Sequence, residues 1–178
     1  MLFKIKEIGD EGLSLNLAVP GAWLSSQCPD LDAVLAPKGL HVRGRLVASG
    51  DDVLLRGTLR GALDTTCSRC LEKARVGIDV ELLATFVARP EGEADDSDED
   101  DDDPNVVRFD GEVVDLSNEI RDQLLLTYPI KPLCREDCAG LCAVCGGNRN
   151  QIPCDCQSRQ PESRTPLAAV LGKLKMKI

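Results

Sequence analysis

The sequence predicts an α+β protein: a curved antiparallel β-sheet, bent towards a partly closed barrel, with one main helix and a C-terminal cysteine-rich module. Three observations predict it. Apolar and polar residues alternate over most of residues 42–86, the period of two that marks half-buried strands. Leu116, Ile120, Leu124 and Tyr128 recur every four residues, which puts them on one face of a helix. Six of the nine cysteines fall within residues 131–156, spaced C-x3-C-x3-C-x2-C-x8-C-x-C, where there is almost no other apolar content. Such a segment cannot fold by burying side chains, so the organisation expected is residues 1–130 as the sheet domain and 131–178 as the module.

The elements follow in order. Phe3 to Ile8 and Leu13, Leu15 and Leu17 alternate, giving two short strands around Gly9-Asp10-Glu11-Gly12. Residues 20–37, with Pro20, Trp23, Leu24, Leu31, Val34 and Leu35, read as a turn and a short helix; Cys28 within them reads as a small structural thiol. Val42, Gly44 and Leu46 share a strand face, and Ser49-Gly50-Asp51-Asp52 makes a turn. Val53, Leu55, Gly57, Leu59, Gly61, Leu63 and Thr65 keep one parity, as do Val76, Ile78, Val80, Leu82, Ala84 and Phe86. These runs form a three-stranded meander with Cys67-Ser-Arg-Cys70 at its last bend, and Gly57 and Gly61 signal curvature. Val106–Phe109 and Val113–Val114 resume short strands. Asp115 is the expected N-cap of the main helix, 115–128, which Pro129 ends. Glu119, Arg121 and Asp122 are assigned to its solvent face. Leu167, Val170, Leu171 and Leu174 suggest a short C-terminal helix.

The net charge of −9 is concentrated in one place. Residues 91–103 hold ten acidic groups and no basic one, and without them 21 basic residues face 20 acidic ones. That run repels itself and is expected to be disordered. It reads as a solvated loop between strands, or as a segment that docks on a basic protein. No apolar run approaches the ~20 residues that span a bilayer, and the N-terminus lacks a signal-peptide core. A cytoplasmic protein is expected, without a membrane partner, and in a reducing compartment cysteines serve metals more than disulfides.

Cys142-Ala-Val-Cys145-Gly146-Gly147 and Cys67-Ser-Arg-Cys70 are knuckles whose two-residue gaps let both sulfurs face one ion. Eight thiols in this pattern suit Zn2+, one or two ions, in closed four-thiolate sites. One grouping joins Cys142 and Cys145 to Cys154 and Cys156, with Cys67 and Cys70 joined to Cys134 and Cys138 so that the module is clamped to the sheet. The other turns Cys67 and Cys70 towards the Cys142–Cys145 knuckle. A closed site leaves no position for a reacting water. His41 stands in a strand without a partner motif, and neither a nucleophile elbow nor a phosphate-binding glycine loop is present. No catalytic residue and no small-molecule substrate are expected, so the protein reads as a non-enzyme.

Cys67-Ser-Arg-Cys70-Leu71, the stretch Leu-Leu-Leu-Thr-Tyr-Pro-Ile-Lys-Pro-Leu-Cys-Arg-Glu-Asp-Cys-Ala-Gly-Leu-Cys-Ala-Val-Cys-Gly (124–146), Asn-Arg-Asn (148–150) and Cys-Asp-Cys (154–156) together resemble the YceD-like family of large ribosomal RNA subunit accumulation proteins, over residues 40–178. The resemblance implies a non-enzymatic factor in ribosome biogenesis that supports accumulation or processing of 23S ribosomal RNA. Some family members keep the first cysteine pair and lack the later cluster, which implies that the cluster is structural support. Two features depart from the family: the long acidic run, and Glu-Ser-Arg-Thr-Pro (162–166) where the family has an Asp-Pro-Arg-like stretch.

The partner expected is pre-ribosomal RNA or a basic large-subunit ribosomal protein. For RNA, the phosphate contacts expected are Arg69, Arg135, Arg149, Arg159, Arg164, Lys173, Lys175 and Lys177. From a different class, the thiols would form a redox switch that releases zinc on oxidation, or a general zinc-ribbon interaction module.

Overall fold

The long alternating runs do become the central strands. In chain order the elements are β1 (Leu2–Lys4), a 3-10 turn (Ile5–Glu7), β2 (Leu13–Ala18), α1 (Gly21–Gln27), β3 (Ala33–Ser49), β4 (Asp52–Thr66), β5 (Lys73–Ala88), β6 (Val106–Phe109), β7 (Val113–Asp115) and α2 (Ser117–Thr127). The computed structural model describes residues 1–9, 11–89, 105–152 and 154–156. The acidic run 91–103, the expected helix around Leu167–Leu174, and Arg159, Arg164, Lys173, Lys175 and Lys177 lie outside the described residues. The chain divides into two units: Met1–Ser68 with Glu72–Cys134, and Arg69–Leu71 with the chain from Arg135.

The first unit is built on a five-stranded sheet of order β2-β3-β4-β5-β6, with a separate pair formed by β1 and β7. Neighbours run antiparallel from β2 to β5. Leu40, Val42 and Leu46 of β3, Val53, Leu55, Leu59 and Leu63 of β4, and Ile78, Leu82, Ala84 and Phe86 of β5 are all buried on one face. Ile120 and Leu124 of α2 join the same apolar cluster, with Leu116 just ahead of the helix. Each such side chain contributes roughly 1.5–3 kcal/mol by leaving water.

Several expectations need correction. The sheet does not close into a barrel among the described residues, because β2 and β6 remain its edges. It is not wholly antiparallel either, since β6 pairs parallel to β5. Residues 89–105 separate those strands, long enough for a crossover where a hairpin would return antiparallel. The first strand, expected over Phe3 to Ile8, stops at Lys4 and gives way to the 3-10 turn; β1 pairs with β7 and β2 with β3. The helix in 20–37 stops at Gln27, since Pro29 disfavours helical geometry at Cys28. Residues from Ala33 onward already belong to β3, whose register shifts between Leu35 and Leu40.

Glycines mark where the strands approach most closely. Gly61 has a φ of +152°, and a Cβ there would sit 2.1 Å from the Gly39 carbonyl oxygen within the irregularity of β3. The main helix starts at Ser117, not at Asp115, and its N-cap is Leu116; Asp115 ends β7 one residue further out, and from there its carboxylate accepts the Ser117 N–H at 2.9 Å. Tyr128 turns extended ahead of Pro129, and its hydroxyl donates to Thr65 Oγ1 at 3.0 Å. Glu119 is not on a solvent face. It is only 8% exposed, because it sits beside Ile120 at the edge of the buried stripe. Burial pushes its carboxyl up, with Asp122 adding to the rise against a hydrogen bond from Gln123.

Two outcomes test this architecture. Gly61→Ala is expected to lose about 3 kcal/mol or more of unfolding free energy by denaturant titration. Gly77→Ala, where a Cβ meets nothing within 4 Å, is expected to be neutral or slightly stabilising. Glu119→Gln is expected to raise the melting temperature at neutral pH. With a folded pKa above the unfolded one, the native state loses stability as pH rises through that window. The gain from Gln therefore shrinks towards acid pH, where Glu119 is protonated in both states, and a gain constant with pH would contradict the assignment.

Candidate metal centres

Each cysteine pair sits on a turn of the same design. In the first, Cys67 follows β4 and its N–H donates to the Glu72 carbonyl at 2.8 Å. In the second, the Cys142 N–H donates to the Gly147 carbonyl, also at 2.8 Å. Both bonds span five residues and close a loop around a C-x2-C pair. The residue after the second cysteine is left-handed in each, Leu71 with φ 61° and Gly146 with φ 70°. Glycine adopts that conformation freely, whereas at leucine it costs about 1–2 kcal/mol. Leucine is therefore held there against its own preference, with its side chain 66% exposed.

The chain leaving α2 runs beside the first knuckle, where the Ser68 N–H donates to the Pro132 carbonyl at 2.9 Å. That delivers Cys134. The sulfurs of Cys67, Cys70, Cys134 and Cys138 all lie within 4.8 Å of one another, as do those of Cys142, Cys145, Cys154 and Cys156. A tetrahedral ion bound at ~2.3 Å by four sulfurs needs S–S edges of roughly 3.8 Å, which lies inside that limit. These two clusters are suited to hold metal ions, and they follow the first of the two groupings that the spacing allows.

Within the second unit, backbone and side chains supply donors to the sulfurs. The Val144 N–H points at Cys142 Sγ at 3.4 Å, and Asn150 Nδ2 donates to Cys138 Sγ at 3.3 Å. Asn150 is held in turn, its Oδ1 accepting the Ala139 N–H at 2.8 Å and the Arg135 guanidinium at 2.7 Å. Asn148 Oδ1 accepts the Asn150 N–H at 3.0 Å and its side-chain amide at 2.9 Å. Both asparagines support the cysteines although neither is a ligand. Sequence reasoning missed them in this role, and the Asn-Arg-Asn string was the signal that held them. Arg69 donates to the Cys138 carbonyl at 3.0 Å and accepts the Leu141 N–H on its own carbonyl at 3.0 Å. Arg135 also pairs with Asp137 at 3.3 Å. Arg149 is exposed, and its N–H donates to the Gly140 carbonyl.

Crowding four thiols makes them share protons. The N–H groups of Cys145 and Val144, helped by Cys154, bring Cys142 down to about 6. A hydrogen bond to Cys142 pushes Cys154 up, and one to Cys145, with burial, pushes Cys156 up to about 12. The cluster thus holds a thiolate and protonated neighbours that an incoming ion must deprotonate. Uptake of Co2+ by the metal-free protein, followed by its thiolate charge-transfer band, is expected to release protons. Affinity should keep rising above about pH 6, since Cys142 is already ionised there while Cys154 and Cys156 still surrender protons. Uptake indifferent to pH would show that these thiols are not the ligands.

No helix among the described residues is long and apolar enough to cross a membrane. The family model for large ribosomal RNA subunit accumulation protein YceD matches residues 55–175. An uncharacterized protein of Mycobacterium tuberculosis is 36% identical over 102 residues, 57% of this chain and 47% of the relative. Another from Mycobacterium leprae is 37% identical over 111 residues, 62% of this chain and 48% of the relative. A Zea mays protein, named a chloroplastic homolog of the large ribosomal RNA subunit accumulation protein, is 29% identical over 140 residues, 65% of this chain and 48% of the relative. The chain therefore spans about half the length of the relatives it matches. No solved structure matches it.

Proposed function

The chain belongs to the YceD family of large ribosomal RNA subunit accumulation proteins, and from that premise we propose that it is a non-enzymatic ribosome-biogenesis factor that binds pre-ribosomal RNA of the large subunit. The family match carries the process. The chemistry of the site supports a scaffold over a catalyst, because a four-thiolate centre is coordinatively closed. Zn2+ is the ion proposed at each cluster, since isolated all-thiolate tetrahedra favour it over the other common divalent ions. Its ligands are Cys67, Cys70, Cys134 and Cys138 at one centre and Cys142, Cys145, Cys154 and Cys156 at the other.

The second unit needs such ions. Among the described residues the apolar cluster takes no member from it, and Leu71, Val144 and Ile152 are exposed. Arg149, exposed on the second unit, is proposed as a phosphate contact, together with the basic residues Arg159, Arg164, Lys173, Lys175 and Lys177 outside the described residues, while Arg69 and Arg135 brace the turns and reach phosphate as secondary contacts. A second reading, a basic large-subunit ribosomal protein as partner, is favoured by the ten acidic residues of 91–103.

Metal analysis of protein purified under reducing conditions is expected to give two zinc ions per chain. Cys67→Ser with Cys70→Ser should remove one, and Cys142→Ser with Cys145→Ser the other. In cells, depletion is expected to lower large-subunit RNA relative to small-subunit RNA, with the protein co-sedimenting with large-subunit precursors. An unchanged ratio together with absence from those particles would overturn the ribosomal reading.

A further inference from the structure

One face of the sheet carries charge that neither the fold nor the cysteine centres use. Opposite the buried face, β3 and β4 present Arg43, Arg45, Arg56 and Arg60, all exposed, with Lys38 at the irregularity of β3. Arg45 is the direct cross-strand partner of Arg56, Arg43 faces Thr58, and His41 faces Arg60. Like charges directly opposed across a sheet are destabilising. Arg60 is paired with Asp79 at 2.8 Å, but Lys38, Arg43, Arg45 and Arg56 have no carboxylate partner among the described residues.

The flanking strands neutralise this face only at Arg60. On β2, Ser14 lies beside Arg45 and Asn16 beside Arg43. On β5, Leu83 lies beside Arg56 and Glu81 beside Thr58. Asp79 and Glu81 are thus the acidic groups that border it. Two grooves of about 500 Å³ and 510 Å³ open here and share Arg43 and Thr58 in their walls. In a chain of net charge −9, a row of unpaired cations on adjacent strands is the opposite of what composition alone would place there.

We infer that this outer face of β3 and β4 is an RNA-backbone binding surface, with Lys38, Arg43, Arg45 and Arg56 as its phosphate contacts. Charge complementarity fixes the class of ligand: a polyanion fills a row of cations with no acceptors to satisfy. The choice of RNA among polyanions rests on the ribosomal reading above; the surface itself does not. No Phe, Tyr or Trp lies on this face among the described residues to stack a base, and its one imidazole, His41, is tied to the Lys38 carbonyl at 2.8 Å, so the contacts go mainly to phosphates and carry little sequence preference of their own.

The test is fluorescence anisotropy of a labelled large-subunit ribosomal RNA fragment with the full chain across a salt series. Arg43→Thr, Arg45→Thr and Arg56→Thr, combined, are compared with Arg149→Thr. Threonine suits an exposed strand position, so the triple variant should fold. Its melting temperature should stay level or rise, since the Arg45–Arg56 opposition is gone. RNA affinity should fall roughly tenfold or more, and the slope against log salt should shrink by about 0.7–0.9 for each contact removed.

Affinity lost only in Arg149→Thr would overturn the sheet surface and leave the ribosomal reading standing. Co-sedimentation with precursor particles without binding to the RNA fragment would do the same, and would favour the protein partner. Binding confined to a chain lacking residues 91–103 would make the acidic run, not RNA, the occupant of the face and overturn the proposal. Failure of both co-sedimentation and RNA binding would remove the two readings together.

Discussion

Convergence of sulfurs is the constraint on which the rest of the cysteine-rich unit depends. Among its described residues that unit has turns but no apolar interior, with Cys138 and Cys142 as the buried hydrophobic side chains from residue 135 onward. Apart from the Leu141 N–H to the Arg69 carbonyl, its backbone bonds among the described residues are short-range ones, such as Arg149 to Gly140 and Ile152 to Asn148. Such bonds contribute about 1 kcal/mol each, net of water, against roughly 1–2 kcal/mol of backbone entropy for each ordered residue. They cannot hold the segment alone. The first unit is different in kind, because its strands and α2 share one contiguous cluster of buried aliphatic residues. One chain therefore carries two kinds of unit, one ordered by apolar burial and one whose sulfurs are gathered where a metal ion could join them.

The two knuckles show how narrow that constraint is. The same five-residue hydrogen-bonded loop recurs at Cys67 and at Cys142, and both require a left-handed residue after the second cysteine. Gly146 meets the requirement without strain, whereas Leu71 meets it at a cost and leaves its side chain in water. The turn is imposed by where the sulfurs must point, and local preference yields. Asn150 makes the same point from outside the ligand set. Its amide reaches the Cys138 sulfur while its oxygen takes the Ala139 N–H, so one side chain fixes both a sulfur and the turn that carries it.

What the sequence made legible was whatever repeats locally. The parity of Val53 to Leu63 and of Val76 to Phe86 located β4 and β5 and named their buried faces, and the four-residue repeat located α2. The C-x2-C spacing located the knuckles and placed the first at a hairpin tip. What stayed hidden depends on partners distant in sequence. Nothing in Val106–Phe109 says that it will lie parallel to β5, since a four-residue apolar-rich run reads alike in either direction. Glu119 looked solvent-facing because a wheel cannot say how wide the buried stripe is. Likewise, Arg43, Arg45 and Arg56 each read as the polar half of an alternating strand. Only the register that opposes Arg45 to Arg56 turns three ordinary surface residues into one charged face.

That face changes how the charge of the chain should be understood. Net charge describes long-range repulsion and solubility, but recognition at contact distance follows the local arrangement, screened beyond about 8–10 Å at physiological salt. Ten carboxylates gathered in residues 91–103 dominate the sum, while β3 and β4 bring together Arg43, Arg45 and Arg56, which have no carboxylate partner among the described residues. Segregation of this kind works against folding, since dispersing the same charges along the sheet would relieve the opposition of Arg45 and Arg56. A ligand that neutralises those cations would repay that opposition on binding. The fold alone gives no reason to keep them side by side, and phosphate binding does.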